Sequence, residues 1–165
     1  MKTEKQIPDY DIDNLDIEIL SLLIANARAP FTEIAQKLVV SPGTIHVRMK
    51  KLEKMGVVVG AELVLDASKL GFDLTAFIGI FLEKSAKYSE VVPRLRAIEE
   101  IVEAHYTTGG YGIFCKIICS NTDHLRTVLN DKIQSVEGIQ RTETMISLEQ
   151  SIRKTLPLGQ LKTLR

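Results

Sequence analysis

Two short stretches hold residues whose types and spacing could do chemistry. In the first, Arg48, Lys50, Lys51 and Lys54 stand against one acid, Glu53, within residues 41–54, a local charge of +3 (four bases less one acid) before His46 is counted. Cations gathered on one segment would meet phosphates. The compact Gly43 and Thr44 would let a backbone approach base edges, with Thr44 bonding a base or phosphate, His46 a base edge and Val47 a thymine methyl. The second stretch is Tyr106-Thr107-Thr108-Gly109-Gly110-Tyr111-Gly112. Its glycines would expose several backbone N–H groups to a small anion such as a carboxylate, and its hydroxyls would supply further bonds. Each stretch also has a plainer reading. A lysine-rich helix face is ordinarily a solvated surface, and a glycine pair between β-rich runs is first of all a hairpin turn.

The other reactive side chains do not combine. Cys115 and Cys119 stand four apart on a β-rich run, about 13 Å at about 3.3 Å per residue, too far to clamp one metal ion. They read as core residues, and two cysteines are too few for a disulfide framework. His105 and His124 lack a partner at metal-binding or catalytic spacing. No G-x-S-x-G, P-loop or acid pair stands in a suitable context. The sequence predicts no catalytic residue, no metal ligand, no bound cofactor, and a protein that is not an enzyme.

The elements that must position the two stretches follow from the period of the apolar residues, helical over residues 13–55 and mostly β-like from Val57 onward. Leu15, Ile19, Leu22 and Leu23 recur at spacings of three and four, with Asp13 or Asn14 as cap and Pro30 beyond the end. Residues 32–38 make a short second helix in which Ile34, Ala35 and Leu38 share a face, with Thr32 or a neighbour as cap. Ser41 as N-cap and Pro42 at the first helical position start a third, which stops at Gly56. At about 100° per residue, Ile45, Met49 and Leu52 form its buried stripe. That leaves Gly43, Val47, Lys50 and Lys54 facing outward, flanked by Thr44, His46 and Lys51. Short helices joined by a tight turn, with cations on the last, make a helix-turn-helix.

Beyond Gly60 the pattern predicts a linker in which residues 63–65 form a short strand, then a strand at 75–83 and a helix at 89–98 where Pro93 is awkward. Strands at 101–108 and 111–120 flank Gly109-Gly110, a helix runs from Asn121 or Thr122 to about Gln134, and a last strand covers 142–148. The order βαββαβ is that of a ferredoxin-like domain, one antiparallel sheet with two helices on one face. The first strand carries Ala76, Ile78, Ile80 and Leu82 on one side and Phe77 and Phe81 on the other, so the uncovered sheet face is predicted to pair with a second copy. The fold class is therefore α+β: residues 1–12 a tail, 13–60 a winged helix-turn-helix of three helices, 61–72 a linker, 73–150 an oligomerisation domain whose glycine-rich turn is the candidate effector-binding site, and 151–165 a second tail.

With 165 residues, 45% hydrophobic and 25% charged, the chain suits one medium domain or two small ones and is too apolar to be disordered. It has no apolar run of about 18 residues to span a membrane, and its polar start, MKTEKQIPDYDIDN, is unlike a secretory signal, so the expected compartment is the cytoplasm. The 21 bases balance 21 acids, which by itself weighs against nucleic acid. Residues 1–62 hold 8 bases and 9 acids, a net of −1, and residues 63–165 hold 13 and 12, a net of +1. The basic patch is thus local, and overall neutrality limits non-specific attraction without excluding DNA.

Leu15-Asp16 with Ile19-Leu20, Asn26-Ala27-Arg28, Glu33-Ile34-Ala35, Val40-Ser41, Thr44-Ile45, Arg48-Met49, Leu52-Glu53 and Gly56-Val57-Val58 resemble the DNA-binding domain of the Lrp/AsnC (feast/famine) transcription regulators. Val39 departs from the pattern, because the family commonly places glycine there and a β-branched residue avoids the left-handed conformation. Ile45-His46-Val47-Arg48, Phe77-Ile78-Gly79-Ile80, Tyr106-Thr107-Thr108-Gly109, Tyr111, Asn130, Lys132-Ile133-Gln134 and Thr142-Glu143-Thr144 are most similar to the family's asparagine-responsive members.

The resemblance implies a sequence-specific regulator that binds double-stranded operator DNA through Ser41, Gly43, Thr44, His46, Val47, Arg48, Lys50, Lys51 and Lys54. It implies a homodimer that assembles further, to an octamer. It also implies a free amino-acid effector, asparagine first, held by Tyr106, Thr108, Gly109, Gly110, Tyr111, Gly112 and Gln134, with Gln134 reading a side-chain amide. Many relatives carry aspartate where this chain has Gly112, which removes one partner for the effector's ammonium group. Two rival readings are a winged helix that binds protein instead of DNA, and a ligand-binding regulatory subunit of an amino-acid biosynthetic enzyme, the latter by analogy of fold alone.

Overall fold

The computed structural model describes residues 11–158. The chain forms two compact units that part between Leu63 and Val64, the second ending at Ile152.

The first unit contains three helices, α1 (Asn14–Ala25), α2 (Phe31–Leu38) and α3 (Pro42–Lys54). Asp13 caps α1 in a reciprocal capping box: its side chain accepts from Asp16 N–H at 2.9 Å, and Asp16 Oδ2 accepts from Asp13 N–H at 3.2 Å. Pro30 occupies the N-cap of α2 and makes no side-chain cap bond, so the expected threonine cap is absent; Phe31 opens the helix instead. α2 ends at Val39, which adopts the left-handed conformation at φ +56° and is 90% exposed. Ser41 caps α3 with Pro42 behind it, and Gly56, at φ +72°, lets Val57 N–H return to Leu52 O at 2.9 Å. Ile19, Ile34, Ala35, Ile45, Met49 and Leu52 form one core, joined by flanking residues that include Leu22, Leu23, Phe31 and Val57.

The second unit is a four-stranded antiparallel sheet in the order β2-β3-β1-β4, with β1 Leu74–Leu82, β2 Ile101–Tyr106, β3 Ile113–Cys119 and β4 Ile139–Ile146. α4 (Tyr88–Arg96) follows β1, and α5 (Thr122–Thr127) follows β3 and continues as a π-helical turn, Val128–Ile133. The helices bury Val91, Leu95, Leu125, Val128 and Ile133 against Ala76, Ile78, Ile80, Ile113, Cys115, Ile117 and Cys119. This is the α+β, ferredoxin-like arrangement expected from the apolar pattern. Pro93 is accommodated at the sixth position of a nine-residue helix that a short 3-10 turn, Ser85–Lys87, precedes.

The boundaries differ in places. No ladder forms at residues 63–65, where Leu63, Val64 and Leu65 are exposed and irregular instead of forming a strand. The strands flanking Gly109-Gly110 stop at Tyr106 and resume at Ile113, so the connection is six residues, not a two-residue hairpin. β4 begins at Ile139, three residues before the expected start, because Leu82 pairs across to Ile139 after a register shift. No helix among the described residues is long and apolar enough to cross a membrane.

Candidate nucleic-acid interface and effector turn

Ser41 Oγ accepts the Thr44 N–H at 3.1 Å and lies 2.9 Å from the Thr44 hydroxyl, which fixes the first turn of α3. With Ile45, Met49 and Leu52 buried, Ser41, Gly43, His46, Val47, Lys50 and Lys54 are exposed and Thr44 half-buried, a single outward face. His46 leans toward Phe31 of α2, ring centroids 6.2 Å apart. Lys50 and Lys54 make no ion pair among the described residues.

Arg48 and Lys51 lie elsewhere. Arg48 Nη1 is 3.0 Å from Asp16 Oδ1 and also pairs with Asp13, while Lys51 Nζ is 3.4 Å from Asp16 Oδ2 and 3.6 Å from Asp11 Oδ2. The Arg48 guanidinium, with the Asp16 backbone N–H, holds the Asp13 carboxyl below its ordinary range, and Asp13 and then Asp16 raise Arg48 in return. The sequence pattern marks Asp13 as a helix cap but assigns none of the three aspartates a role toward the third helix. Their signal was there: Asp13 and Asp16 are spaced i,i+3, as are Arg48 and Lys51.

In the second unit residues 107–112 form a loop closed by Thr107. Its N–H donates to Gly112 O at 3.2 Å and its Oγ1 to Tyr111 O at 2.7 Å. Gly112 N–H is used on Ile80 O at 3.0 Å, so it is not available to an anion. Gly109, at φ +126°, and Gly110 face open space, and with Thr108 they form an exposed apex. The pairings Tyr106↔Ile113, Ile113↔Ile80 and Ile80↔Thr142 make one row across all four strands. Gln134 reaches that row, its Nε2 donating to Thr142 Oγ1 at 2.9 Å, and Tyr106 closes the other end against Tyr88 at 4.2 Å between centroids. The loop and Tyr106 therefore stand at one edge of the row and Gln134 at the opposite edge, three strand spacings away, about 14 Å at about 4.8 Å each.

Tyr111 departs from that group. Its ring packs on the uncovered sheet face over Gly79, edge-on to Phe81 at 5.1 Å, with its hydroxyl donating to Glu143 at 2.8 Å. That face also carries Phe77 stacked on Phe114 at 5.8 Å and Arg141 over Phe81 at 3.4 Å. A half-open cavity of about 290 Å³ between α4 and β2, lined by Tyr88, Val92, Leu95, Arg96, Ile101 and Ala104 among others, includes none of the loop residues.

The reactive side chains are tied up structurally. Cys115 and Cys119 are free and buried, and burial pushes the Cys115 thiol up to about 11. His124 Nδ1 accepts the Ser120 N–H at 3.2 Å, and its Nε2 lies 3.0 Å from Glu100 Oε1, which also receives Lys132 Nζ at 2.6 Å. This knot ties the start of α5 to the start of β2.

The geometry has counterparts among known proteins. Residues 12–59 match a model for winged helix-turn-helix DNA-binding domains, and residues 75–157 match the Lrp/AsnC ligand binding domain. The chain belongs to the Lrp/AsnC family. It is 44% identical over 148 residues to the regulatory protein AsnC of Escherichia coli K12, covering 90% of this chain and 97% of that one. The solved E. coli AsnC structure superposes with a TM-score of 0.85 over 89% of this chain and 99% of that one. An HTH-type transcriptional regulator, FL11 of Pyrococcus furiosus, is 37% identical over 84% of this chain and 90% of its own. A Neisseria meningitidis transcriptional regulator solved as an L-Met complex is 25% identical, with a TM-score of 0.85 over 90% of this chain and 98% of that one. As a Lrp/AsnC protein the chain is a transcription regulator, pairing a DNA-binding helix-turn-helix with an amino-acid-binding domain, and its close relatives are named regulators, not enzymes.

Proposed function

We propose that two copies joined through the uncovered sheet face present two α3 helices to paired half-sites of double-stranded operator DNA, in the cytoplasm. We propose further that a free amino acid, asparagine first, binds at the β2–β3 loop and shifts the assembly of those dimers toward or away from an octamer. The single observation carrying the DNA half is the outward face of α3, where Ser41, Gly43, Thr44, His46 and Val47 stand at the end that would enter a groove and Lys50 and Lys54 stand where phosphates would run. The dimer half draws on the aromatic row Phe77, Phe81, Tyr111 and Phe114, too apolar to be left in water.

The effector half rests on the exposed apex of Thr108, Gly109 and Gly110 beside Tyr106, with Gln134 at the opposite edge of the same row of paired residues. The apex offers N–H groups to a carboxylate, and Gln134, across the sheet from the apex of its own copy, offers its amide to a side-chain amide of an effector held between copies. The likeness to AsnC regulators and the L-Met complex of the Neisseria protein support an amino acid as the ligand class.

An effector changes DNA occupancy only through a difference in affinity between assembly states. Mass by light scattering and affinity for a duplex selected from a randomised pool should both shift with millimolar asparagine, and less with glutamine, leucine or methionine. If both stay fixed across all four, the effector reading fails; a monomeric mass at micromolar concentration sinks the dimer.

A further inference from the structure

The +3 charge of residues 41–54 suggests that all four of its bases meet DNA, but the first unit spends two of them internally. Asp16 is wholly buried, in the first turn of α1. An unpaired carboxylate there would be costly, so at least one cation beside it is obligatory to the fold of this unit. Those partners are Arg48 on Oδ1 at 3.0 Å and Lys51 on Oδ2 at 3.4 Å. Asp13 holds Arg48 from a second side, and Asp11 holds Lys51 at 3.6 Å.

The arrangement is a two-point contact. Arg48 and Lys51 are three apart on α3, one turn along its length, and Asp13 and Asp16 are three apart across the N-cap of α1. One contact would let α3 roll about its axis; two contacts, one turn apart, resist both rolling and sliding. By the helical angle of about 100° per residue, Arg48 stands about 130° and Lys51 about 70° round the helix from the centre of the outward face formed by Gly43, Val47, Lys50 and Lys54. The local charge is fully used: two bases against three acids leave −1.

We infer that Arg48 and Lys51 are positioning residues of the DNA-reading helix, anchored on the buried Asp16, and that they contact no phosphate. This deepens the DNA reading and rests on it. Phosphate contact falls to Lys50 and Lys54, while the clamp decides which side chains of α3 point outward.

The test is the salt dependence of binding, because each lost phosphate contact flattens the slope of log K against log salt by about 0.9. The full chain and a duplex selected from a randomised pool are used, with a scrambled duplex of equal length beside it. Lys50→Ala should flatten the slope by about that amount per contact. Lys51→Ala should leave it unchanged. The paired variant Asp16→Asn with Arg48→Gln, which replaces the ionic pair by a neutral hydrogen-bonded one, should keep the wild-type slope and lower the preference for the selected duplex tenfold or more. A flattened slope in Lys51→Ala, or in the folded paired variant, overturns the inference. Should the paired variant not fold, Lys51→Ala decides alone. If the wild-type protein binds neither duplex at low salt, the underlying DNA reading has failed, an outcome distinct from a slope that falls.

Discussion

The ring of Tyr111 fills the space where a side chain on Gly79 would stand: a Cβ added there would meet its ring carbons at 2.4 to 2.8 Å. Glycine at this point of the central strand is a packing requirement. Through it, the loop that ends at Gly112 is bolted to the uncovered face of the sheet, since Tyr111 belongs to the loop by sequence and to the face by contact. A ligand that moves the loop would have to move the ring.

Gly79→Ala should therefore destabilise the second unit by about 1–3 kcal/mol, the usual cost of overpacking. It should also break the bond from the Tyr111 hydroxyl to Glu143. That bond, together with desolvation, raises the Tyr111 phenol above its ordinary range. Thermal unfolding and an ultraviolet titration of the tyrosines check both; a Tyr111 titration unchanged in the variant would count against the packing argument.

Val39 stands in the left-handed region at φ +56° with its side chain 90% exposed, so nothing it touches offsets the backbone cost. That cost is about 1–2 kcal/mol for a residue with a Cβ, against a smaller penalty for glycine's freedom in the unfolded chain. Val39→Gly should raise the stability of the first unit by about 1 kcal/mol. A melting temperature equal to or below that of the wild type would refute it.

Glu100 has a definite acid limit. Burial pushes its carboxyl up, but hydrogen bonds from Lys132 and His124 prevail and hold it down to about 2 from an ordinary 4.5. A carboxyl lowered on folding stabilises fully above its unfolded value, so this contribution is present above pH 4.5 and is lost as pH falls toward 2. It amounts to about 3 kcal/mol at most, at about 1.4 kcal/mol per pH unit. In Glu100→Gln the difference in urea midpoint between pH 6 and pH 3 should shrink. An undiminished pH dependence would assign the acid limb to other groups.

Gln134 is exposed and its side chain bonds only Thr142 among the described residues, so its replacement should cost little in stability. Gln134→Leu should weaken asparagine binding about tenfold, the worth of about one neutral hydrogen bond, while the melting temperature barely moves. Calorimetric titration decides it: asparagine affinity equal to wild type removes Gln134 from the site.

Much of the fold was legible because its signals are local. The Ser41-Pro42 start and Gly56 stop of α3 are properties of neighbouring residues, as is the Asn121 cap of α5, whose side chain accepts from His124 N–H at 2.9 Å. Alternation in β1 and β3 likewise separates Ile78, Cys115 and Ile117 from Phe77 and Phe114. The turn around Gly109-Gly110 was harder, since its six-residue length depends on Gly112 N–H reaching Ile80 O on another strand. Residues 63–65 have strand-like composition, yet a strand needs a neighbour to bond, and none of the described residues pairs with them.

The sequence by itself determined the helix-turn-helix, the βαββαβ order and the outward face of α3, because periodicity and capping act within a few residues. Tertiary structure alone decided how the charged and aromatic side chains divide their work. Arg48 and Lys51 look identical to Lys50 and Lys54 along the chain, and only the approach of α1 brings a buried Asp16 to claim the first pair. Tyr111 belongs to the loop along the chain, and only the placing of Gly79 on β1 lets its ring lie on the uncovered sheet face. In both cases the deciding partner lies more than thirty residues away, beyond the reach of any local rule.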